Sequence, residues 1–516
     1  MATMKTPGVC IVEKSVIPNS VVEVATAVPA FIGYTEKADN GGKTLRNKPW
    51  RITNMSDFHN YYGASPSSQF EITEKAENST EEAAFMLADK EYLVKQTSNK
   101  YTLYNNMLLF FQNGGGPCYI VSVGTYTEAV EPAKLKAGIE PLIKEQEPTL
   151  IVIPEAVLLK EDDCISVQQA VIAHCGEMSN RFAIIDVWGG YKNRQHPSGD
   201  CISNFRSKLG DEHLRFSAAY YPWLNATVVK DSELSYSNIA NIECFESLMH
   251  QEIERGFRDL DGLSEEELST GGYKLRSEKR QQMYDKVASI QVEQGFAQKT
   301  LLHRTLCSMS VVYTKILEDI KSQLNLLPPS ALMAGIYTMV DNERGVWKAP
   351  ANVSLHSVRS PAVNISHYEQ EDLNVTTQGK SINAIRAFMG EATLVWGART
   401  LDGNSLDWRY VSVRRTMIML EESIRLAVDA FDFEANTEKE WVTIKSMITN
   451  FLTGIWQRGG LVGSSPEDAF SVSVGLGQTM TDVDILEGIL RIKVLVAVAR
   501  PAEFIEMIFQ QQMQKS

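Results

Sequence analysis

With 516 residues, 44% of them hydrophobic and 22% charged, the chain is too long for one hydrophobic core and too apolar to be disordered. Its formal net charge of −14 disfavours a nucleic-acid backbone or an anionic membrane as the main partner. No apolar run reaches the ~18–20 residues that span a bilayer, and residues 1–5 lack the apolar core of a signal peptide. We therefore expect a protein made in the cytoplasm, without direct membrane insertion and not exported by the general secretory route.

The first 220 residues alternate between strand and helix patterns. Apolar runs predict strands, and apolar residues at helical spacing predict helices, one of which starts at Tyr101 and ends in the Gly-rich stretch 113–117. The predicted strands are 21–34, 118–123, 149–153, 182–187 and 216–221, and the other predicted helices are 56–63 and 166–175. Such alternation is typical of an α/β layer.

Helical patterns dominate the rest of the chain. Residues 223–327 contain no proline and are rich in Glu, Lys, Gln and Leu, which predicts long helices, one of them opened by a capping box at Ser264. Later, an apolar stripe from Met417 to Phe431 predicts an amphipathic helix, and a second helix is predicted to open with a capping box at Thr437 and to end at 459–460.

Both chain ends contain short strand-like runs. Near the N-terminus these are Val9, Cys10, Ile11 and Val12; near the C-terminus Ile492, Val494, Val496 and Val498 alternate with other residues at the period of a strand. Terminal segments usually fray unless something holds them. Such strands either complete a sheet in the same molecule or add to the sheet of a neighbour.

No motif for an enzyme, metal or cofactor is recognisable. The chain has no phosphate-binding loop, no dinucleotide fingerprint and no HExxH, and its seven cysteines are scattered without a CxxC, so we expect free thiols and no cofactor. Asp186 follows a predicted strand at a position where α/β proteins often bind a metal or nucleotide. The alternatives are a cap at the strand end, or a ligand in a nucleotide- or metal-dependent α/β enzyme.

A cluster of aromatic and guanidinium side chains lies between residues 396 and 415, comprising Trp396, Arg399, Trp408, Arg409, Arg414 and Arg415. Arginine beside tryptophan suits base stacking, so a nucleic-acid patch is one hypothesis. The acidic balance of the chain favours the other, in which the arginines pair with Glu421, Glu422 and Glu434 and stack on the tryptophans inside an assembly.

Taken together, these segments resemble contractile tail sheath proteins, the family of myovirus tails, phage-tail-like bacteriocins and extracellular contractile injection systems. The resembling pieces follow the family order along the chain: TPGV at 6–9, VPAFIGYT at 28–35, FFQNGG at 110–115 with CYI at 118–120, YYPW at 220–223, LPPS at 327–330, GVWKAPAN at 345–352, NAIR at 383–386, VWGARTL at 395–401, WRY at 408–410 with RR at 414–415, and RPAEF at 500–504. Residues 231–325 have no counterpart in the family pattern, and 373–380 match it only loosely.

The resemblance implies a multidomain α+β and α/β fold. A conserved α+β sheath domain facing an inner tube would comprise 21–100 and 356–490. An outward-facing α/β domain, 101–355, would be inserted into it and carry a helical elaboration at about 231–325. Residues 1–20 and 491–516 would be arms that add strands to neighbouring subunits.

The implied function is a structural, non-enzymatic one. Subunits would polymerise as stacked six-fold rings around an inner tube and contract to drive that tube through a target envelope. The expected partners are other copies of the chain, the tube protein, and baseplate and terminal cap proteins, with no nucleic acid. The sheath would assemble in the bacterial cytoplasm and belong to a virion tail or a released or anchored particle. On the helix opening at Thr437, Lys439, Lys445 and Arg458 are predicted to meet an acidic tube surface.

Overall fold

The computed structural model describes residues 20–79, 81–292, 295–388, 390 and 392–504. These residues form two compact units. Unit 1 contains the described residues 20–26, 344–349 and 412–504, and unit 2 contains those in 27–343 and 350–411. The mixed α and β content confirms the predicted fold class.

Unit 2 holds most of the secondary structure. Its strands are β1 Pro29–Thr35, β2 Asp39–Asn40, β3 Lys43–Thr44, β4 Trp50–Ile52, β5 Gln69–Glu74, β6 Phe85–Leu87, β7 Lys90–Ser98, β8 Cys118–Thr125, β9 Leu150–Val152, β10 Phe182–Asp186, β11 Ser217–Tyr221, β12 Leu224–Ala226, β13 Leu326–Leu327, β14 Val353–Ser354, β15 Val358–Pro361, β16 Ile382–Ala387 and β17 Thr393–Val395. Its helices are α1 Met55–Tyr62, α2 Leu103–Gln112, α3 Pro132–Ala137, α4 Glu161–Met178, α5 Cys201–Lys208, α6 Ile242–Gly256, α7 Glu265–Leu268, α8 Gly271–Ala288, α9 Phe296–Met309, α10 Val311–Leu324, α11 Ser330–Arg344 and α12 His367–Asn374.

The core of unit 2 is a nine-stranded sheet in the order β14-β17-β16-β11-β10-β9-β1-β8-β4. Its inner strands β16, β11, β10, β9, β1 and β8 run parallel, and antiparallel strands close both edges. All residues of β1, β9, β10 and β11 are buried. This explains their continuous apolar runs, because parallel strands are covered on both faces.

Unit 1 is smaller. Its elements are α13 Val411–Val428, α14 Glu438–Gln457, α15 Pro466–Ala469, β18 Phe470–Val474, α16 Asp482–Leu486 and β19 Ile492–Val496. The predicted stripe of α14 faces the core, with Ile444, Ile448 and Ile455 fully buried. Its N-cap residue Thr437 makes no side-chain hydrogen bond, so the predicted capping box is absent, whereas the one at Ser264 is present.

The compact units divide the chain at points other than the predicted domain boundaries. β1, from the predicted segment 21–100, and β16, from 356–490, are strands of the same sheet as β8 to β11, which come from 101–355. The strand predicted at 21–34 begins only at Pro29, as β1, and Val21 and Val24 pack instead on the core of unit 1. Local periodicity identifies strands but not their pairing partners. Which part faces a tube stays a prediction.

Two buried carboxylates cap helices of unit 2 from elsewhere in the chain. Glu155 accepts hydrogen bonds from the backbone N–H groups of Thr102 and Leu103 at the start of α2, and from Tyr34 in β1, at 2.7–3.0 Å. Asp186 accepts from the backbone N–H and hydroxyl of Ser330 at the start of α11, at 2.8 and 2.5 Å. Burial raises the pKa of each carboxyl to about 7, although these hydrogen bonds oppose the shift.

These raised pKa values predict that the stability of unit 2 falls as the pH rises from about 4 to about 7. In that window the folded carboxyl holds its proton while the unfolded one has lost it, so ionisation favours unfolding by roughly 1.4 kcal/mol per unit of pKa difference. In Asp186→Asn, which cannot ionise, the urea midpoint should fall less between pH 5 and pH 8 than in the wild type. Glu265→Gln, at an exposed position on α7, should keep the wild-type slope, and an unchanged slope in Asp186→Asn would contradict the assignment.

Candidate assembly site

The predicted C-terminal strand is present and pairs within its own chain. β19 runs antiparallel to β18, with Val494 opposite Val472 and Val496 opposite Phe470. Ile492, Val494, Val496 and Val498 pack together on the core of unit 1, as the period-2 pattern requires, whereas Leu495 on the other face is 55% exposed. In the described part of the chain β18 and β19 have no third strand beside them.

The N-terminal arm residues Val9, Cys10, Ile11 and Val12 lie outside the described residues. The donation of either terminal strand to a neighbouring subunit stays a prediction. The pairing of β18 with β19 is relevant to this prediction. A two-stranded ribbon exposes unpaired backbone groups along its edges, and it is marginally stable unless further strands or packing support it.

In unit 2, the tryptophan and arginine residues of the 396–410 cluster are fixed by internal contacts. The Asn383 side chain bonds both the N–H and the carbonyl of Arg399, at 2.7 and 2.8 Å, and the Arg399 guanidinium donates to the carbonyl of Asn374. The Trp396 ring packs on Phe388 at 4.7 Å, Arg215 lies over Trp408, and Arg409 lies over Tyr410. Asn383 belongs to the NAIR segment at 383–386, but its contacts with Arg399 were not predicted from the sequence.

In unit 1, Arg414 pairs with Glu421 at 2.8 Å, as one hypothesis for the cluster proposed, and Arg415 donates to the carbonyl of Thr26 at 2.9 Å. Glu422 instead pairs with Arg425. Arg399, Arg414 and Arg415 are only 3–4% exposed. Their guanidinium groups therefore cannot act as a solvent-facing surface for nucleic acid, and stabilise the fold instead.

The three predicted tube-contact cations differ in their surroundings. The Lys439 side chain is 88% exposed and lies 3.6 Å from Glu440, and Lys445 is exposed on α14. Arg458 is already engaged, since it pairs with Glu23 at 2.5 Å and lies over the Trp347 ring at 5.2 Å. Of the three, Lys439 and Lys445 have the more accessible positions.

Asp186 does not have the surroundings of a ligand-binding carboxylate. It is 3% exposed, and both of its oxygens accept hydrogen bonds from Ser330. Within the described ranges no group of three or more His, Cys, Asp or Glu side chains is placed to bind a metal ion. The described cysteines are free thiols, four of them buried. None of the helices in the described part of the chain is long and apolar enough to cross a bilayer.

Comparisons with known proteins give a consistent picture. A family model for the phage tail sheath C-terminal domain matches residues 404–512. No curated protein matches the chain. Among solved structures, the chain is similar to that of the PVC sheath complex, an extracellular contractile injection system in its contracted state. The two are 26% identical over 99% of each chain and superpose with a TM-score of 0.60.

Two structures of the anti-feeding prophage (AFP) match equally well over their length. Its helical sheath in the contracted state is 25% identical over 99% of this chain and 100% of that chain, with a TM-score of 0.60. Its six-fold symmetrised baseplate contains a chain that is 26% identical over the same shares, with a TM-score of 0.57. Residues 404–512 therefore match the phage tail sheath C-terminal domain, and the chain as a whole is similar to solved contractile sheath chains.

Proposed function

We propose that this protein is the structural subunit of a contractile sheath, which polymerises as stacked six-fold rings around an inner tube and contracts to drive the tube through a target envelope. The observation that carries the proposal is its full-length similarity to sheath chains seen in the contracted state. The competing hypothesis, an enzyme using Asp186, has no support, because the Asp186 carboxylate is buried and occupied by Ser330.

We propose that the particle is an extracellular contractile injection system. The similarity to the PVC and AFP chains extends over 99% of this chain and so includes the helical elaboration at 231–325, which supports this choice. The expected partners are further copies of the chain, a baseplate, the inner tube and a terminal cap, and assembly is expected in the bacterial cytoplasm. A capsid attached to particles from the native source would contradict this assignment.

Sheath continuity would come from strand addition between subunits. The ribbon of β18 and β19 offers backbone groups to which an arm of the next subunit could add, supplying main-chain hydrogen bonds and alternate buried side chains. Such a contact joins different surfaces of successive copies and does not close on itself, so it builds a helical polymer. Contraction would then be a change between two packings of the same subunits, driven by free energy stored during assembly.

Deletion of residues 1–15 should leave a folded, soluble subunit that cannot form a continuous sheath, because the added strand is lost while both compact units keep their described elements. Electron microscopy of the full-length protein should show tubes or rings, and the truncated protein should not form continuous tubes. A lower melting temperature of the truncated subunit would mean that the segment completes its own fold. Normal contractile sheaths from the truncated protein would contradict the arm model.

Charge reversal at Lys445 should weaken co-assembly of sheath and tube, and more strongly at low salt, because salt screens charges beyond about 10 Å at 0.1 M. Co-sedimentation of Lys445→Glu with tubes at low and high salt measures this. Lys274→Glu, at an exposed lysine on α8 of unit 2, is the matched control. Equal co-sedimentation of Lys445→Glu and the wild type at low salt would remove Lys445 from the tube contact.

The purified protein should hydrolyse neither ATP nor GTP, because the sequence contains no GxxxxGK[ST] phosphate-binding loop. Phosphate release by the purified assembly is the measurement. Turnover that survives removal of contaminants and is abolished by Asp186→Ala would restore the enzyme hypothesis.

A further inference from the structure

The loop between α13 and α14 presents an aromatic side chain that the fold of unit 1 does not use. Phe433 is fully exposed and has a φ of +68°, a left-handed conformation that a bulky residue adopts only at a cost in energy. Two residues earlier, Phe431 packs against the core of unit 1. The turn therefore sends one phenylalanine inward and the other into solvent.

This loop is anchored at its base. The Asn436 side chain donates to the carbonyl of Ile489 at 3.2 Å and accepts from the Trp441 indole at 2.7 Å. On either side of Phe433, Asp432 and Glu434 are exposed. An exposed aromatic ring between two carboxylates is suited to a partner that offers apolar surface with basic groups nearby, and the anchored base of the loop reduces the entropy lost on binding.

Unit 2 contains a cavity whose lining combines apolar, polar and basic side chains. It has a volume of about 480 Å³ and lies beside the hairpin of β2 and β3. Leu45, Pro49 and Trp50 supply apolar surface, and the exposed lysines Lys43 and Lys48 supply positive charge, against one carboxylate from Glu145. The chain has a net charge of −14, but this cavity is lined by more basic than acidic groups. Its charge is therefore opposite to that of the acidic loop, which favours contact between them.

We propose that Phe433 of one subunit inserts into this cavity on a second copy of the chain, with Asp432 and Glu434 facing Lys43 and Lys48. The contact rests on the proposed polymer, and it joins two different surfaces, as a helical assembly requires. It would be distinct from the strand contacts of the terminal arms. The occupant is a copy of the same chain because the exposed charges of the loop and of the cavity rim are opposite.

Phe433→Gly separates docking from folding. Glycine adopts a φ of +68° without strain, which offsets the entropy that it adds to the unfolded chain, so the isolated subunit should melt close to the wild-type temperature. The concentration needed for sheath assembly should rise by about tenfold or more, because a buried aromatic contact is lost. Leu486→Ala, at an 86% exposed apolar position of the same unit, is the matched control and should assemble as the wild type does.

Charge exchange tests the partner. Glu434→Lys and Lys48→Glu should each raise the assembly concentration, and the double variant should recover part of the loss. A photo-crosslinking phenylalanine analogue at 433, in sheaths mixed from isotopically light and heavy subunits, should join the peptide containing residues 43–50 of a different copy.

The outcomes separate this proposal from the proposed function. If the wild type forms sheaths but Phe433→Gly assembles at the same concentration, or if the crosslink forms with the tube or another segment, the docking proposal is wrong while the sheath function stands. If the wild type forms no sheath under any condition, the proposed function itself fails.

Discussion

The core of unit 1 depends on Trp347, which is distant in sequence from the C-terminal helices and strands of that unit. Trp347 is 6% exposed and belongs to the same buried cluster as Ile444, Ile448 and Ile455 of α14. Two glycines make room for it: a Cβ at Gly345, where φ is +92°, would lie 2.4 Å from the ring, and one at Gly460 would lie 2.9 Å from it. Removing a buried aromatic side chain typically costs about 3–5 kcal/mol. The C-terminal segment therefore needs residues 344–349 to complete its core.

This constraint explains why the two terminal segments converge on unit 1. Val21 and Val24, near the start of the described chain, pack on the cluster that also contacts Val494 and Val496 of β19. The Val24 N–H donates to the hydroxyl of Ser423 at 3.1 Å. The core around Trp347 is therefore a common, well-packed base from which the proposed arms at both chain ends would extend.

The sequence predicted the positions of individual helices and strands better than it predicted which strands pair in a sheet. Apolar runs located β8 and β10, and helical spacing located α2, α13 and α14, because burial on one or both faces leaves a periodic trace. The sequence pattern did not predict that β1 and β16 belong to one sheet, or that residues 21–26 belong to unit 1. Both features depend on contacts between segments that are distant in sequence. For the same reason, the capping of α2 by Glu155 and of α11 by Asp186 could not be predicted, as each carboxylate is far in sequence from the helix that it caps.

The same distinction applies to the candidate site. The signature arginines were recognisable from their sequence context, but their burial was not, and it changes their role from surface contacts to internal braces. Leaving a buried polar group without its hydrogen-bond partner costs about 1–3 kcal/mol of folding free energy. An exposed ion pair contributes only roughly 0–1 kcal/mol to stability. A sheath that changes its packing without external energy would be expected to exchange the weaker set. On that ground, contraction would preserve contacts such as those between Asn383 and Arg399, and would rearrange contacts of exposed groups, such as those proposed for Lys445 with the tube and for Phe433 with a second copy of the chain.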